Sequence, residues 1–139
     1  MDKLKVVEQL KSYLVEELRD LVHDKPESEW DKLSEDEARR AGEIRSQLVM
    51  YRFLPVREYS KDDVICPAGL VELDFNGNRA FYFIVPSGGG LVTRVDGSPI
   101  QVITPNSPLG EALLGKKVGD TIQVKMTSST RSYRIVSFV

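Results

Sequence analysis

A dense run of acidic residues separates two stretches that have helical periodicity. Residues 24–37 contain seven acids and two lysines, in a chain whose overall net charge is −2. Asp24 and Glu27 have the spacing best suited to sharing a cation, and Glu29 and Asp31 are the alternative candidates for this role. Mg²⁺ often takes only one or two protein carboxylates and completes its shell with phosphates and water. Two acids would therefore hold Mg²⁺ only where another protein's active site supplies the other ligands, and there they would help to orient a water.

The same acids also fit a solvent-exposed connector between two helices. Acids in the first turn of a helix oppose the positive end of its macrodipole, and residues 35–37 would do so here. Trp30 lies within this polar segment, either as a contact residue for a partner or as a residue that packs against Leu33. Both interpretations stay open from the residues alone.

Few residues in the sequence support other kinds of chemistry. Cys66 is the only cysteine and His23 the only histidine, which excludes a disulfide framework and a Cys/His zinc site within one chain. Cys66 has no basic neighbour in sequence to activate its thiol, so a structural thiol is expected. The glycines at 88–90 lack the lysine and helix of a phosphate-binding loop, and residues 115–117 are typical of an exposed turn.

Two helices must position the acidic segment. Residues 3–23 and 34–54 each carry apolar residues at spacings of three and four, the pattern of an amphipathic helix. Ser34 and Glu37 form a capping-box signature at the start of the second helix. Because a short connector favours antiparallel neighbours, residues 1–54 are predicted to form a helical hairpin with the acidic segment at its tip.

The sequence after residue 54 is predicted to be a linker over 55–63 and a sheet domain over 64–139. The predicted strands are 70–75, 79–85, 91–95, 100–103, 121–126 and 132–138. Ser107 as an N-cap and Pro108 in the first turn open a short helix within this domain. The chain is therefore predicted to be α+β, with a helical hairpin followed by an antiparallel sheet that is partly wrapped around one short helix.

Composition and charge narrow the class of protein further. The 139 residues are 41% hydrophobic and 29% charged, as in ordinary globular domains, and no stretch is apolar enough to span a membrane. The N-terminal residues carry scattered charges and no apolar h-region, which predicts a cytoplasmic protein without a secretory signal. The weakly negative net charge argues against a general nucleic-acid binder.

The second half of the sequence resembles a known family. Residues 106–125 (NSPLGEALLGKKVGDTIQVK) and the closing RSYRIVSFV are similar to the C-terminal, FKBP-like domain of the bacterial GreA/GreB transcript-cleavage factors. The similarity extends less tightly over residues 64–139. The two predicted helices resemble the N-terminal hairpin of that family in a shortened form. The family's tip carries Asp-x-x-Glu followed by an aromatic residue, a pattern that Asp24, Glu27 and Trp30 match with one residue fewer.

The resemblance implies a transcription elongation factor that is not itself an enzyme. Its FKBP-like domain would dock at the rim of the secondary channel of bacterial RNA polymerase, with Asn106, Ser107, Pro108 and Leu109 as contacts. Its hairpin would enter the channel, where the tip acids would help to hold the second catalytic Mg²⁺ and its water during cleavage of backtracked RNA. It would need no cofactor, hold no metal stably, meet RNA only inside the polymerase, and bind neither a membrane nor specific DNA sequences.

Two other functions stay open at this point. A channel-binding regulator without cleavage activity would still bind the polymerase after loss of both tip acids, and would inhibit it. A prolyl isomerase or small-molecule binder would need a concave, aromatic-lined pocket. Phe75, Phe81, Tyr82 and Phe83 supply aromatic rings, but neighbouring strand residues point to opposite faces, so these rings are predicted to be mainly core.

Overall fold

The computed structural model describes residues 1–23 and 25–139. The helices are α1 (Lys3–Val22), α2 (Glu35–Phe53) and α3 (Pro108–Leu113), with a 3₁₀ helix over Glu27–Lys32. The strands are β1 (Leu70–Phe75), β2 (Asn78–Ile84), β3 (Val92–Val95), β4 (Ser98–Ile103), β5 (Thr121–Lys125) and β6 (Thr130–Phe138). The predicted α+β class is confirmed. None of the helices in the described residues is both long and apolar enough to cross a membrane.

The chain divides into a helical unit and a sheet unit. The helical unit comprises residues 4–54, and the sheet unit comprises residues 1–3 and 55–139. Residues 55–63, predicted as a linker, lie within the sheet unit, outside its strands and helix. The two units are described separately below.

The helical unit has the predicted antiparallel pairing. Arg40 on α2 donates two hydrogen bonds, of 2.9 and 3.1 Å, to the Glu17 carboxylate on α1. This ion pair joins the last turns of α1 to the first turns of α2. The capping box is present: the Glu37 amide donates to the Ser34 hydroxyl, and the Ser34 amide donates to the Glu37 carboxylate. These two bonds satisfy amides at the start of α2 that have no partner within the helix.

The apolar stripe of α1 differs from its predicted course at the first turn. Leu4, which is three residues before Val7 and therefore expected on the stripe, is 61% exposed, whereas Val6 is fully buried. The buried face of the helix instead continues through Val7, Leu10 and Leu14. The first buried residue of α1 is Lys3, which belongs to the sheet unit and has hydrogen-bond partners there.

Lys3 is 1% exposed and its charge is satisfied locally. Its Nζ donates to the carbonyl oxygens of Arg57 and Ala68, the latter at 3.0 Å. The ammonium also lies 4.4 Å from the ring centroid of Tyr59, which stacks on Phe138 at 5.0 Å. Burial lowers the pKa of Lys3, and the two carbonyls and the ring offset the cost of removing the charge from water.

The sheet has six strands in the order β3-β4-β2-β1-β6-β5. Its neighbours are antiparallel except β2 and β4, which run parallel with Phe81 beside Ile100. The predicted antiparallel sheet is therefore confirmed for the other neighbouring pairs, and the β2–β4 pair is the exception. After β2 the chain first forms the edge strand β3, which is not adjacent to β2. The β3–β4 hairpin then places β4 between β3 and β2.

One face of the sheet forms a core with α3. The buried members of this core are Ile65, Val71, Leu73, Ile84, Ile103, Leu113, Ile122, Val124, Tyr133, Ile135 and Phe138. Phe75, Tyr82 and Cys66 are partly buried against it, and Phe83 is fully buried. Burial of Phe75, Tyr82 and Phe83 fits the packing role predicted for these rings. The N-cap of α3 is hydrogen-bonded to Thr104, the residue that follows β4.

Candidate functional site

The connector between α1 and α2 contains the predicted carboxylates. Asp24, the first member of the predicted pair, lies outside the described residues. Glu27 and Glu29 lie in the first turn of the 3₁₀ helix, and Asp31 follows near its end. Glu27 and Asp31 are exposed, whereas Glu29 is partly buried. The described part of the connector therefore contains a 3₁₀ helix over Glu27–Lys32, which was not predicted from the sequence.

The Glu27 carboxylate forms an ion pair with the guanidinium group of Arg45 on α2. The same guanidinium lies 5.7 Å from the ring centroid of Trp30. The Trp30 indole N–H donates in turn to the carbonyl oxygen of Lys25, at 3.2 Å. The structure thus brings together Glu27 and Trp30, both predicted as site residues, with Arg45, which the sequence analysis missed.

The contact with Arg45 shows where Glu27 lies along the helical unit. Arg45 is ten residues after Glu35, the first residue of α2, which corresponds to about 15 Å along the helix axis. Side chains of a helix lean toward its N-terminus, so the Arg45 guanidinium reaches back toward the connector. Glu27 therefore lies beside α2, within reach of a side chain from the middle of that helix.

The described residues do not form a complete metal site. Residues 1–23 and 25–139 contain no group of three His, Cys, Asp or Glu side chains placed to hold a metal ion. A divalent cation prefers six or more oxygen ligands. A cation at Glu27 would consequently take most of its ligands from water or from another molecule.

The loop that leads into α3 contains the predicted docking residues. Asn106 and Pro108 are exposed, and Ser107 and Leu109 are partly buried. Ser107 is the N-cap of α3 and Pro108 its first residue, as predicted. These four residues form a corner between β4 and α3, with the exposed pair facing solvent.

Hydrogen bonds hold this corner in one conformation. The Ser107 hydroxyl donates to the Thr104 carbonyl at 2.7 Å and accepts from the Gly110 amide at 3.1 Å. The Thr104 hydroxyl donates to the Asn106 side-chain oxygen at 2.6 Å. Gly110 approaches the backbone of Thr104 so closely that a Cβ on it would lie 2.0 Å from the Thr104 carbonyl oxygen. The docking corner is therefore preformed and depends on a glycine at position 110.

A shallow cup of about 320 Å³ adjoins the corner on the face of the sheet. It is lined by Tyr82, Gln101, Ile103, Ser107, Pro108, Leu109, Val124, Met126, Arg131 and Tyr133. Burial is the main cause that raises the pKa of Tyr82, so its hydroxyl stays protonated at neutral pH. Met126, Arg131 and Tyr133 belong to the β5–β6 hairpin and were not expected beside the corner, because the position of this hairpin depends on the long-range pairing of β6 with β1.

The sheet unit matches a described protein family. Residues 71–138 match the family "Transcription elongation factor, GreA/GreB, C-term". Transcription elongation factor GreA of Clostridium acetobutylicum is 28% identical over 114 residues, which are 79% of this chain and 68% of that protein. The GreA of Zymomonas mobilis is 35% identical over 94 residues, 68% of this chain and 56% of that protein. The GreA of Thermotoga maritima is 43% identical over 37 residues, 27% of this chain and 24% of that protein.

Two solved structures are also similar. GreA factor homolog 1 (Gfh1) of Thermus thermophilus is 21% identical with a TM-score of 0.45, covering 97% of this chain and 93% of that chain. The GreA/GreB elongation factor of Nitrosomonas europaea is 19% identical with a TM-score of 0.42, covering 69% of this chain and 78% of that chain. The family assignment depends on the sequence matches: residues 71–138 form a C-terminal domain of the GreA/GreB family of transcription elongation factors.

Proposed function

We propose that this chain binds bacterial RNA polymerase at the rim of the secondary channel through its sheet unit, and that its helical unit enters the channel. The observation that carries this proposal is the preformed corner at residues 104–110, within a domain of the GreA/GreB family. Exposed Asn106 and Pro108 project from a rigid backbone, and the cup beside them offers apolar and tyrosine side chains. A partner that binds there orders few additional residues, which keeps the entropic cost of binding low.

Within the helical unit, we propose that Asp24 and Glu27 assist cleavage of backtracked RNA. The polymerase supplies the catalytic centre, the nucleic acid and the remaining Mg²⁺ ligands, so the chain itself is not an enzyme. A carboxylate added to a weakly held Mg²⁺ increases its occupancy and helps to orient the attacking water. The helices α1 and α2 have 20 and 19 residues and are each roughly 30 Å long, which gives the acids their reach.

A second candidate is a channel-binding regulator that does not stimulate cleavage. The ion pair between Glu27 and Arg45 favours this candidate. A carboxylate bound to a guanidinium is electrostatically neutralised and has fewer lone pairs for a metal. A protein docked with this ion pair intact would fill the channel without contributing a ligand to Mg²⁺.

Cleavage in a stalled, backtracked elongation complex separates the two candidates. The comparison uses no factor, the wild-type chain and the double variant Asp24→Asn/Glu27→Gln, with binding to the polymerase measured in parallel. Asp36→Asn is the matched control, because Asp36 belongs to the same acidic segment but pairs with Arg39. The proposal of cleavage predicts stimulation by the wild type and by Asp36→Asn, and loss of stimulation in a double variant that still binds.

Three other outcomes of the cleavage and binding assays would exclude parts of the proposal. Binding without stimulation by any of the proteins would exclude cleavage activity and leave the channel-binding regulator. Absence of binding would overturn the proposed docking as a whole. Equal stimulation by the wild type and the double variant would show that the carboxylates do not take part.

A further inference from the structure

We propose that Arg45 is a latch on the tip carboxylate: it holds Glu27 against the flank of α2 and releases it when a divalent cation replaces the guanidinium. The role assigned to the latch in RNA cleavage depends on the proposed function, whereas the latch in the free protein does not. Arg45 would be a positioning residue, since it acts on the reaction only through Glu27.

The first support is the arrangement of the three side chains. Arg45 is in contact with Glu27 and lies over the ring of Trp30. An aromatic face attracts a cation and limits the directions in which its side chain can point. The indole N–H bond from Trp30 to the Lys25 carbonyl fixes the ring to the connector itself. Arg45 is thereby attached to the connector at two points, one electrostatic and one aromatic.

The second support is the strength of the ion pair. The side chains of Glu27 and Arg45 are 62% and 52% exposed. Exposed ion pairs are weak, because water competes for both charges and two long side chains must be ordered. Such a pair holds Glu27 only weakly, so a cation with a higher charge and additional ligands can displace the guanidinium.

The third support is the charge of the segment around Glu27. Residues 24–37 have seven acids against two lysines, and Arg45 comes from outside this segment to neutralise one of the acids. In the structure the guanidinium is bound to the Glu27 carboxylate, the group that a metal cation would have to reach. The closed latch corresponds to a docked chain that does not cleave, and the open latch corresponds to one that does.

The latch in the free protein is tested by fluorescence, because Trp30 is the only tryptophan. Arg45→Gln removes the charge and keeps a good helix former on an exposed face of α2. We expect this variant to shift the Trp30 emission and to increase its quenching by acrylamide. Arg52→Gln is the matched control, since Arg52 lies on the same helix over Phe53. Identical emission and quenching for Arg45→Gln and the wild type would overturn the latch.

The role of the latch in cleavage is tested by the Mg²⁺ dependence of RNA cleavage in a backtracked complex. At limiting Mg²⁺, Arg45→Gln is expected to cleave about two- to five-fold faster than the wild type, the range expected for an exposed ion pair. The two rates should converge at saturating Mg²⁺. Arg45→Lys, which keeps the charge but loses the planar fork, should give an intermediate rate. A purely structural role for Arg45 would lower the rate at every Mg²⁺ concentration, and that result would contradict the proposal.

The two experiments fail independently. Altered Trp30 fluorescence without cleavage by any variant would leave the latch in place and remove the proposed cleavage function. Cleavage by the wild type with the same Mg²⁺ dependence in Arg45→Gln would retain the proposed function and remove the latch from the reaction.

Discussion

Two glycine-to-alanine variants, one in α2 and one in α3, are predicted to change the free energy of unfolding in opposite directions. Gly110 lies in α3 and Gly42 in α2. Alanine has a higher helix propensity than glycine, by about 1 kcal/mol per residue, so propensity alone would predict two stabilised variants. The surroundings of the two positions differ. A Cβ on Gly42 has no atom within 4 Å, whereas a Cβ on Gly110 would lie 2.0 Å from the Thr104 carbonyl oxygen.

The size of the Gly110→Ala effect follows from this collision. Ordinary contact begins at 3.4 Å, and both 2.0 Å to the Thr104 oxygen and 2.9 Å to the Ser107 hydroxyl are shorter. Moving backbone to relieve such overpacking costs about 1–3 kcal/mol, and weakening the bond from Ser107 to Thr104 costs about 1 kcal/mol more. After the gain in propensity, the free energy of unfolding should fall by roughly 2 kcal/mol. Gly42→Ala should raise it by about 0.5–1 kcal/mol.

The assay is urea unfolding of the wild type and both variants, monitored by circular dichroism. The account expects Gly110→Ala to unfold at a lower urea concentration than the wild type and Gly42→Ala at a higher one. Because Gly110 supports the docking corner, its variant should also bind the polymerase more weakly under conditions where it is fully folded. A Gly110→Ala variant as stable as the wild type would refute the steric argument and the rigidity of the corner.

Two further predictions concern the helical unit. The Tyr51 hydroxyl is buried without a hydrogen-bond partner among the described residues, so Tyr51→Phe should raise the free energy of unfolding by about 1 kcal/mol at neutral pH. Burial also raises the pKa of Tyr51 to about 12. The folded state is therefore favoured fully below pH 10, and this contribution to the free energy of unfolding is lost as pH rises toward 12. Urea titrations across this pH range should show a smaller loss of stability for Tyr51→Phe than for the wild type. Ser34→Ala removes the N-cap of α2 and should cost about 1 kcal/mol in urea unfolding, with a milder loss for Ser34→Gly. The hydrogen bonds with Ser34 lower the pKa of Glu37. The capping box therefore stabilises the fold at pH values above the unfolded pKa of this carboxyl, and the stabilisation is lost as pH falls through the lowered pKa. Unfolding of the wild type and of Ser34→Ala at decreasing pH would measure this loss.

Features that depend on neighbouring residues could be predicted from the sequence. The capping box of Ser34 and Glu37 is formed, and Ser107 and Pro108 begin α3. Each of these signals lies within four residues and reflects the hydrogen bonds that a helix end leaves unsatisfied. The strand positions are also close to prediction, because alternation of apolar residues is a local pattern.

Features that depend on distant partners could not be predicted in this way. The parallel pairing of β2 with β4 results from the path of the loop between them, which has no residue signature. Burial of Lys3 depends on carbonyl groups more than 50 residues away. The contact between Glu27 and Arg45 joins residues 18 positions apart through a 3₁₀ turn. The resulting site differs from the predicted pair of free carboxylates for this reason.

Binding of RNA polymerase through the corner before α3 is tested by measuring the affinity of the chain for the core enzyme. The variant Pro108→Glu places a charge on the corner, and glutamate is well tolerated in the first turn of a helix. Gln123→Glu, a change at another exposed position, on β5, is the control for the added charge. The wild type and Gln123→Glu should bind with similar Kd, and Pro108→Glu should bind about tenfold more weakly or worse. Equal affinity of all three proteins, or no binding by any of them, would contradict binding through this corner.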